Sequence, residues 1–224
     1  INKNKSKPLK NIYLGRHIFD NFSENKFIKY VKRKKGLKLI NNFSNYKAAK
    51  LLSKGEVLAV ARGREEFGAR ALGNRSILAD PSNIEIIQKI NDLIKNRDFW
   101  MPFALTILKK YHQKFLKNKK NINSEYMTIG YDCEKRNYSK IAAGTHRYDK
   151  SVRPQILDRK ANIKYYQLIN EFYKQKKIPA LLNTSLNLHG YPIASTIKEI
   201  LFTFENSNLK YLFINDKYLV KKIK

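Results

Sequence analysis

Guanidinium groups crowd between positions 62 and 75, where Arg62, Arg64, Arg70 and Arg75 occur and no lysine is found from Lys54 to Lys89. Elsewhere lysine dominates, since only 11 of the 46 basic residues are arginine. A planar fork of donors matches the oxygens of phosphate or carboxylate two at a time, which an ammonium does not. Through the same stretch Gly63, Gly68 and Gly73 recur every five residues, a spacing that lets backbone N–H groups turn inward toward an anion. The run lacks the Gly-Lys-Ser/Thr ending of a Walker loop and is not the Rossmann glycine fingerprint. It reads as an anion-binding site, against the plainer alternative of an arginine-rich surface turn.

Two further groupings strengthen the reading. Lys95-x-Arg97 precedes Phe99-Trp100-Met101-Pro102-Phe103-Ala104, so two cations, pointing the same way in an extended stretch, meet an apolar wall that excludes water. The competing reading is a cationic helix terminus, which the macrodipole favours. Asn183-Thr184-Ser185-Leu186-Asn187 directly follows an apolar strand-like run. Ligands dock at strand ends of α/β sheets, and hydroxyls and amides there can bond phosphate or ribose. A self-capped Asx-rich turn is the alternative for this third segment.

The elements that must position these groups follow from periodicity. Strands are expected over 11–14, 57–61, 76–79, 103–108, 127–131, 179–182 and 211–214, the last closing the chain, with a loop and strand around 142–156. A helix begins after Ser23 and stops by Gly36, carrying Phe27, Ile28 and Val31 inward, and a second spans Tyr46–Ser53. Ser82 and Glu85 form the capping-box spacing for a helix over Ile86, Ile87, Ile90, Leu93 and Ile94, and Thr196 with Glu199 repeats it later. Another helix runs through Tyr165, Leu168, Ile169, Phe172 and Tyr173. Lys109–Asn123 reads as a polar excursion. Alternating strands and helices predict an α/β fold.

Bulk properties bound the function classes. With 224 residues and 42% hydrophobic content the chain can bury a sizeable core. A formal net charge of +28 makes polyanions electrostatic neighbours, without choosing among nucleic acid, anionic membrane and phosphorylated substrates. The lone Cys133 excludes an internal disulfide, and no His or Cys pair has zinc-site spacing. A reducing, cytoplasmic setting is expected, since no run is long enough to cross a bilayer and no secretory signal opens the chain. The start at Ile1 rather than Met is read as a fragment of something longer.

The stretches GREEFGARALGNRSILADP, KNRDFWMPFALTIL, THRYDKSVRPQ and NTSLNLHGYPI resemble the carboxyl-terminal domain of O-carbamoyltransferases acting on antibiotics, nodulation factors and related products. The resemblance runs from Tyr13-Leu14-Gly15 to Asn215-Asp216. It departs from the family at Ala69, where Pro is usual, at Tyr191, where Glu is usual, and at Thr145–Arg153, where a Thr-His-x-Asp-Gly-Thr-Ala-Arg pattern gains a residue and loses its glycine.

The resemblance implies a YrdC-like fold, a twisted mixed sheet flanked by helices. Residues 1–20 are then expected to be the end of an absent upstream actin-like, metal-binding domain, and 21–224 the YrdC-like domain itself. It implies that carbamoyl phosphate and ATP give carbamoyl-adenylate, whose carbamoyl group passes to a hydroxyl of a small-molecule acceptor. Mg²⁺ is expected with ATP, and no carboxylate pair in the sequence declares itself as its ligand. Lys95-x-Arg97 and Ser185-x-Asn187 match the Lys-x-Arg and Ser-x-Asn signature of relatives that make threonylcarbamoyl-adenylate or mature hydrogenases. By this likeness Lys95, Arg97 and His146 are expected to be catalytic. Arg64, Arg70, Asn74, Arg75, Ser76, Arg153, Asn183, Thr184, Ser185 and Asn187 are expected to bind substrate or nucleotide. His189 is read as shaping the Asn183 turn.

Two other functions compete. Threonylcarbamoyl-adenylate synthesis belongs to the other YrdC-like branch. A non-catalytic nucleic-acid module would use the charge and the tyrosines, but no RRM, KH or zinc-finger signature is present, so no nucleic-acid or membrane partner is expected.

Overall fold

The computed structural model describes residues 9–95 and 102–223. Arg97, expected to be catalytic, lies outside the described residues, as do Phe99, Trp100 and Met101.

Eight strands form one mixed sheet in the order β1-β10-β9-β2-β3-β8-β4-β7. These are β1 (Leu37–Ile40), β2 (Leu58–Ala61), β3 (Arg75–Ala79), β4 (Ala104–Leu108), β7 (Pro154–Leu157), β8 (Ala180–Ser185), β9 (Tyr211–Ile214) and β10 (Tyr218–Lys222). β5 (Tyr131–Asp132) and β6 (Ser151–Val152) pair separately as a short antiparallel ribbon. Pairs β2–β9 and β4–β7 are parallel and the other pairs of the large sheet antiparallel. The central strands β2, β3 and β9 are buried at every position, as expected of a sheet covered on both faces.

Among the described residues five α-helices flank it: α1 (Glu24–Arg33), α2 (Asn45–Ser53), α3 (Ile86–Ile90), α4 (Ile163–Lys176) and α5 (Ile197–Glu205). In α1, Ser23 caps by accepting the Lys26 N–H, Glu24 sits in the first turn, and Lys32 and Arg33 in the last, each complementing the macrodipole. Its buried residues Phe27 and Val31 are four apart. Phe27 meets the Tyr218 ring edge-on at 5.8 Å. Ser44 and Asn162 cap α2 and α4 in the same way, and Gln175 of α4 bonds Ser53 at the end of α2. Glu199 accepts the backbone N–H groups of Ser195 (2.7 Å) and Thr196 (3.2 Å), fixing the start of α5.

Several expectations need correcting. Residues 11–14 are not a strand; the stretch 12–18 forms an isolated bridge, His17 to Arg64, and backbone bonds that join Gly15 and Arg16 to Glu65, Ile18 to Gly63 and Ile12 to Phe67. The stretch 12–18 is thus bonded to the arginine window. The expected strand over 127–131 shrinks to β5, because Met127 has φ +57°. Ser82 does not cap α3: its hydroxyl donates to Asp80 Oδ1 (2.7 Å), closing a local turn. The expected single helix over 86–94 is α3 followed by a π-helical turn over Asn91–Lys95. β9 does not close the chain, since β10 returns against it and pairs with the unforeseen β1.

Candidate active site

A cleft of about 720 Å³ is lined by Arg70, Lys95, His146, Arg153, Asn187 and His189, with the chain around Pro102–Ala104 forming an apolar wall. A smaller annex of about 90 Å³ adjoins it, sharing Arg70, Pro102, Ala104 and Arg153 and reaching Asn183, Thr184 and Ser185. Separate segments therefore meet at one cavity, among them the arginine window, Lys95 with the wall at Pro102–Ala104, the 144–153 turn and the end of β8.

Lys95 ends the π-helical turn and is 2% exposed. Its Nζ donates to Asn187 Oδ1 (2.6 Å), Asn187 O (3.2 Å) and Ser185 Oγ (3.3 Å), while Ser185 Oγ also donates to Asn187 Oδ1 (2.6 Å). The two signature segments thus form one polar node. π-Turns inside helices recur at functional sites, and this one carries the ammonium to the β8 end. His189 Nδ1 lies 2.8 Å from the Lys95 carbonyl. A carbonyl only accepts, so the proton is on Nδ1. Sequence reasoning gave His189 no part in the cavity, although its position two residues beyond Asn187 was a usable signal.

His146 stands at the cleft with Nδ1 3.1 Å from Asp149 Oδ1. Asp149 also accepts the Ser151 N–H at 2.8 Å, and that backbone bond, with His146 adding to it, holds its carboxyl below the usual carboxylate value. The ionised carboxylate accepts a hydrogen bond from Nδ1–H, leaving His146 Nε2 as the second ring atom for a ligand. Asp149 escaped the sequence reading, though the three-residue spacing from His146 was visible. Burial, with Arg70 second, lowers the Arg153 pKa; two guanidiniums held close repel each other and an anion between them relieves it.

Most of the arginine window does something else. Arg75 is fully buried and all five of its N–H donors are spent on backbone carbonyls: Ser195 (2.9 Å), Arg62 (2.7 Å), Asn74 (2.9 Å), Arg16 (3.3 Å) and Gly63 (3.2 Å). None remains for a phosphate, so the expected substrate role does not fit its geometry. Arg64 donates to Leu14 O at 2.6 Å. Asn74 bridges Arg64 O and Asn162, and Ser76 Oγ accepts the Gly73 N–H; none of these three lines the cleft or the annex. Arg62 pairs with Asp216 at 3.0 Å, a Coulombic contact without hydrogen-bond alignment, between the Tyr165 and Phe213 rings.

The inward-turned N–H groups exist, but their anion belongs to the chain. Glu66 Oε1 accepts from Leu72 N (2.6 Å), Asn74 N (2.7 Å) and Arg75 N (3.4 Å). Burial pushes the Glu66 carboxyl up, against those bonds and the nearby Arg75 charge. Gly73 has φ +109°, and a Cβ there would lie 2.1 Å from the Tyr165 ring, so glycine is required by close packing. Of the window's arginines, Arg70 alone lines the cleft.

Residues 49–222 match the family described as Carbamoyltransferase C-terminus. The chain belongs to this family. Its relatives include an uncharacterized protein of Methanocaldococcus jannaschii, 36% identical over 175 residues, covering 78% of this chain and 28% of that protein. Nodulation protein NolO of Bradyrhizobium diazoefficiens is 35% identical over 176 residues, covering 78% and 32%. 3'-Hydroxymethylcephem-O-carbamoyltransferase of Amycolatopsis lactamdurans is 30% identical over 172 residues, covering 75% and 31%. The chain thus spans about a third or less of the length of these family members. Among solved structures, a Sua5 variant of P. abyssi aligns with TM-score 0.54 at 13% identity, covering 77% of this chain and 48% of that one. E. coli YciO aligns with TM-score 0.52 at 14% identity, covering 76% of each. The chain therefore has a YrdC/Sua5-like fold, as its sequence motifs implied.

Among the described residues no helix is long and apolar enough to cross a membrane. No group of three or more His, Cys, Asp or Glu among them could hold a metal ion. Asp149 is the sole carboxylate among the described lining residues and lies beside His146.

Proposed function

We propose that the cleft binds carbamoyl phosphate and ATP and forms carbamoyl-adenylate, for transfer to a hydroxyl-bearing acceptor by a longer enzyme. The observation that carries this is the convergence of Arg70, Arg153 and the Lys95 node on one cavity, in a chain of the carbamoyltransferase family. Mass balance requires one water. Its addition to the carbamoyl carbon breaks the bond to the phosphate oxygen, giving carbamate and inorganic phosphate. A carbamate oxygen then attacks the α-phosphorus of ATP, the α–β bond breaks, and pyrophosphate leaves.

The electrostatic problem is bringing anions together. Two unit charges 4 Å apart repel by about 4 kcal/mol at an effective dielectric of about 20. Arg70 and Arg153 offset this at the acyl phosphate, and Lys95 does so at the nucleotide phosphates beside Ser185 and Asn187. Preorganised cations of this kind also favour the charged transition state. His146 Nε2 faces the reacting groups as a proton donor or acceptor, its tautomer set by Asp149. Mg²⁺ would arrive on the phosphates of ATP.

The test is pyrophosphate release from ATP and Mg²⁺ with carbamoyl phosphate present or absent. Dependence on carbamoyl phosphate, lost at least about a hundredfold in Lys95→Ala, supports the assignment. Release with threonine and bicarbonate in its place indicates the threonylcarbamoyl-adenylate reaction instead. An unchanged rate in Lys95→Ala removes the lysine from the mechanism.

A further inference from the structure

Asn183 of β8 is 1% exposed and lines the annex. Its Nδ2 donates to Ala71 O and to Thr106 Oγ1, each at 3.0 Å. The Thr106 hydroxyl hydrogen is already given to Gln155 Oε1 at 3.0 Å, so Thr106 can only accept from Asn183. The carbonyl of Ala71 can also only accept. Both contacts therefore fix which end of the amide carries nitrogen. At the other end Oδ1 is buried, and among the described residues no donor reaches it. A buried acceptor left unpaired is costly and calls for an explanation.

The surroundings state what kind of donor would satisfy it. The annex holds about 90 Å³, room for a few heavy atoms at the scale of about 30 Å³ per water and too little for a nucleoside. Its rim carries Arg70 and Arg153, which the main cleft shares. Neither guanidinium takes part in an ion pair among the described residues. A ligand that fits is a small acyl phosphate, with its anionic end at the rim and an N–H donor at its inner end.

Resting on the carbamoyl phosphate reading above, we propose that Asn183 Oδ1 accepts a hydrogen bond from the carbamoyl NH₂ and so selects carbamoyl over other acyl phosphates. Acetyl phosphate is nearly the same shape but puts a methyl against that oxygen. A site built to bond a substrate N–H rejects an analogue lacking it, because the site's own polar group stays unpaired. Arg70 and Arg153 hold the phosphate of either compound equally well, so the discrimination falls to Asn183.

Calorimetric titration of the chain with carbamoyl phosphate, acetyl phosphate and inorganic phosphate tests this. The wild type is expected to bind carbamoyl phosphate at least about tenfold more tightly than acetyl phosphate, and Asn183→Ala to bring the ratio close to one. Equal binding by the wild type, or a preserved ratio in the variant, overturns the role of Asn183 and leaves the acyl phosphate cleft standing. If none of the three anions binds, the cleft reading itself falls. Because Asn183→Ala also frees Ala71 O and Thr106, the side-chain amide resonances of Asn183 in the wild type give an independent measurement. Carbamoyl phosphate should shift them more than acetyl phosphate does; equal shifts overturn the proposal.

Discussion

Replacing Arg75 by lysine keeps the charge and removes the geometry. Five carbonyls share the guanidinium, and an ammonium has three donors. At least two of these bonds are then lost, although the Asn74, Gly63 and Arg16 carbonyls keep a second donor in the Arg62, Ile18 and Glu65 N–H groups. A hydrogen bond to a charged group is worth about 1.5–3 kcal/mol, so Arg75→Lys is expected to lose about 3–6 kcal/mol. That is a large part of the 5–15 kcal/mol typical of a folded domain. Urea unfolding followed by circular dichroism gives the loss from the midpoint at constant slope. A loss below about 1 kcal/mol, accompanied by a tenfold fall in carbamoyl phosphate affinity, would refute the argument and return Arg75 to the substrate.

Because burial raises the Glu66 pKa, ionising it opposes folding. Its contribution is present below the unfolded carboxyl value of about 4.3 and is lost as pH rises through the folded value. Glu66→Gln keeps an acceptor for the three N–H groups and should flatten that decline, read as stability against pH by urea midpoints. Inorganic phosphate at a hundred times its Kd should stabilise the chain by about 2.7 kcal/mol, and the gain should vanish in Arg153→Ala; a thermal-shift series checks both. Gly73→Ala sets a methyl 2.1 Å from the Tyr165 ring at φ +109° and should cost about 1–3 kcal/mol or more, seen as a lowered Tm.

The alternation of helices and strands was legible because α1, α2, α4 and α5 each carry an unbroken apolar stripe with a cap residue before it. β1 and β10 were not. Leu37-Lys38-Leu39-Ile40 follows a run of lysines, and Tyr218–Lys222 ends in two of them, so both look like solvated tails until paired with each other. The arginine window shows the deeper limit. Residue type correctly announced that planar donors were needed, yet a guanidinium satisfies backbone carbonyls as well as phosphates. Only tertiary contacts distinguish Arg70 at the cleft from Arg75 beneath it. In the same way the glycine spacing announced a nest of N–H groups, and nothing local revealed that Glu66 fills it. Lys95, Ser185 and Asn187 were legible as a group through their matching signature, whereas their mutual hydrogen bonds depend on β8 ending beside the π-helical turn.

β8 lies in the interior of the sheet, locked to β3 and β4 on its two sides. Asn183 and Ser185 are two residues apart, so both side chains project to one face, separated by roughly 7 Å. On the proposed reading, that pleat is a ruler between the acyl and nucleotide halves of the cavity. Gaining or losing one residue in β8 would turn one of them away, and neighbours on both sides forbid the slip. On that reading, a change in donor or acceptor preference would come from the loops around the cavity, while the spacing set by β8 stays constant.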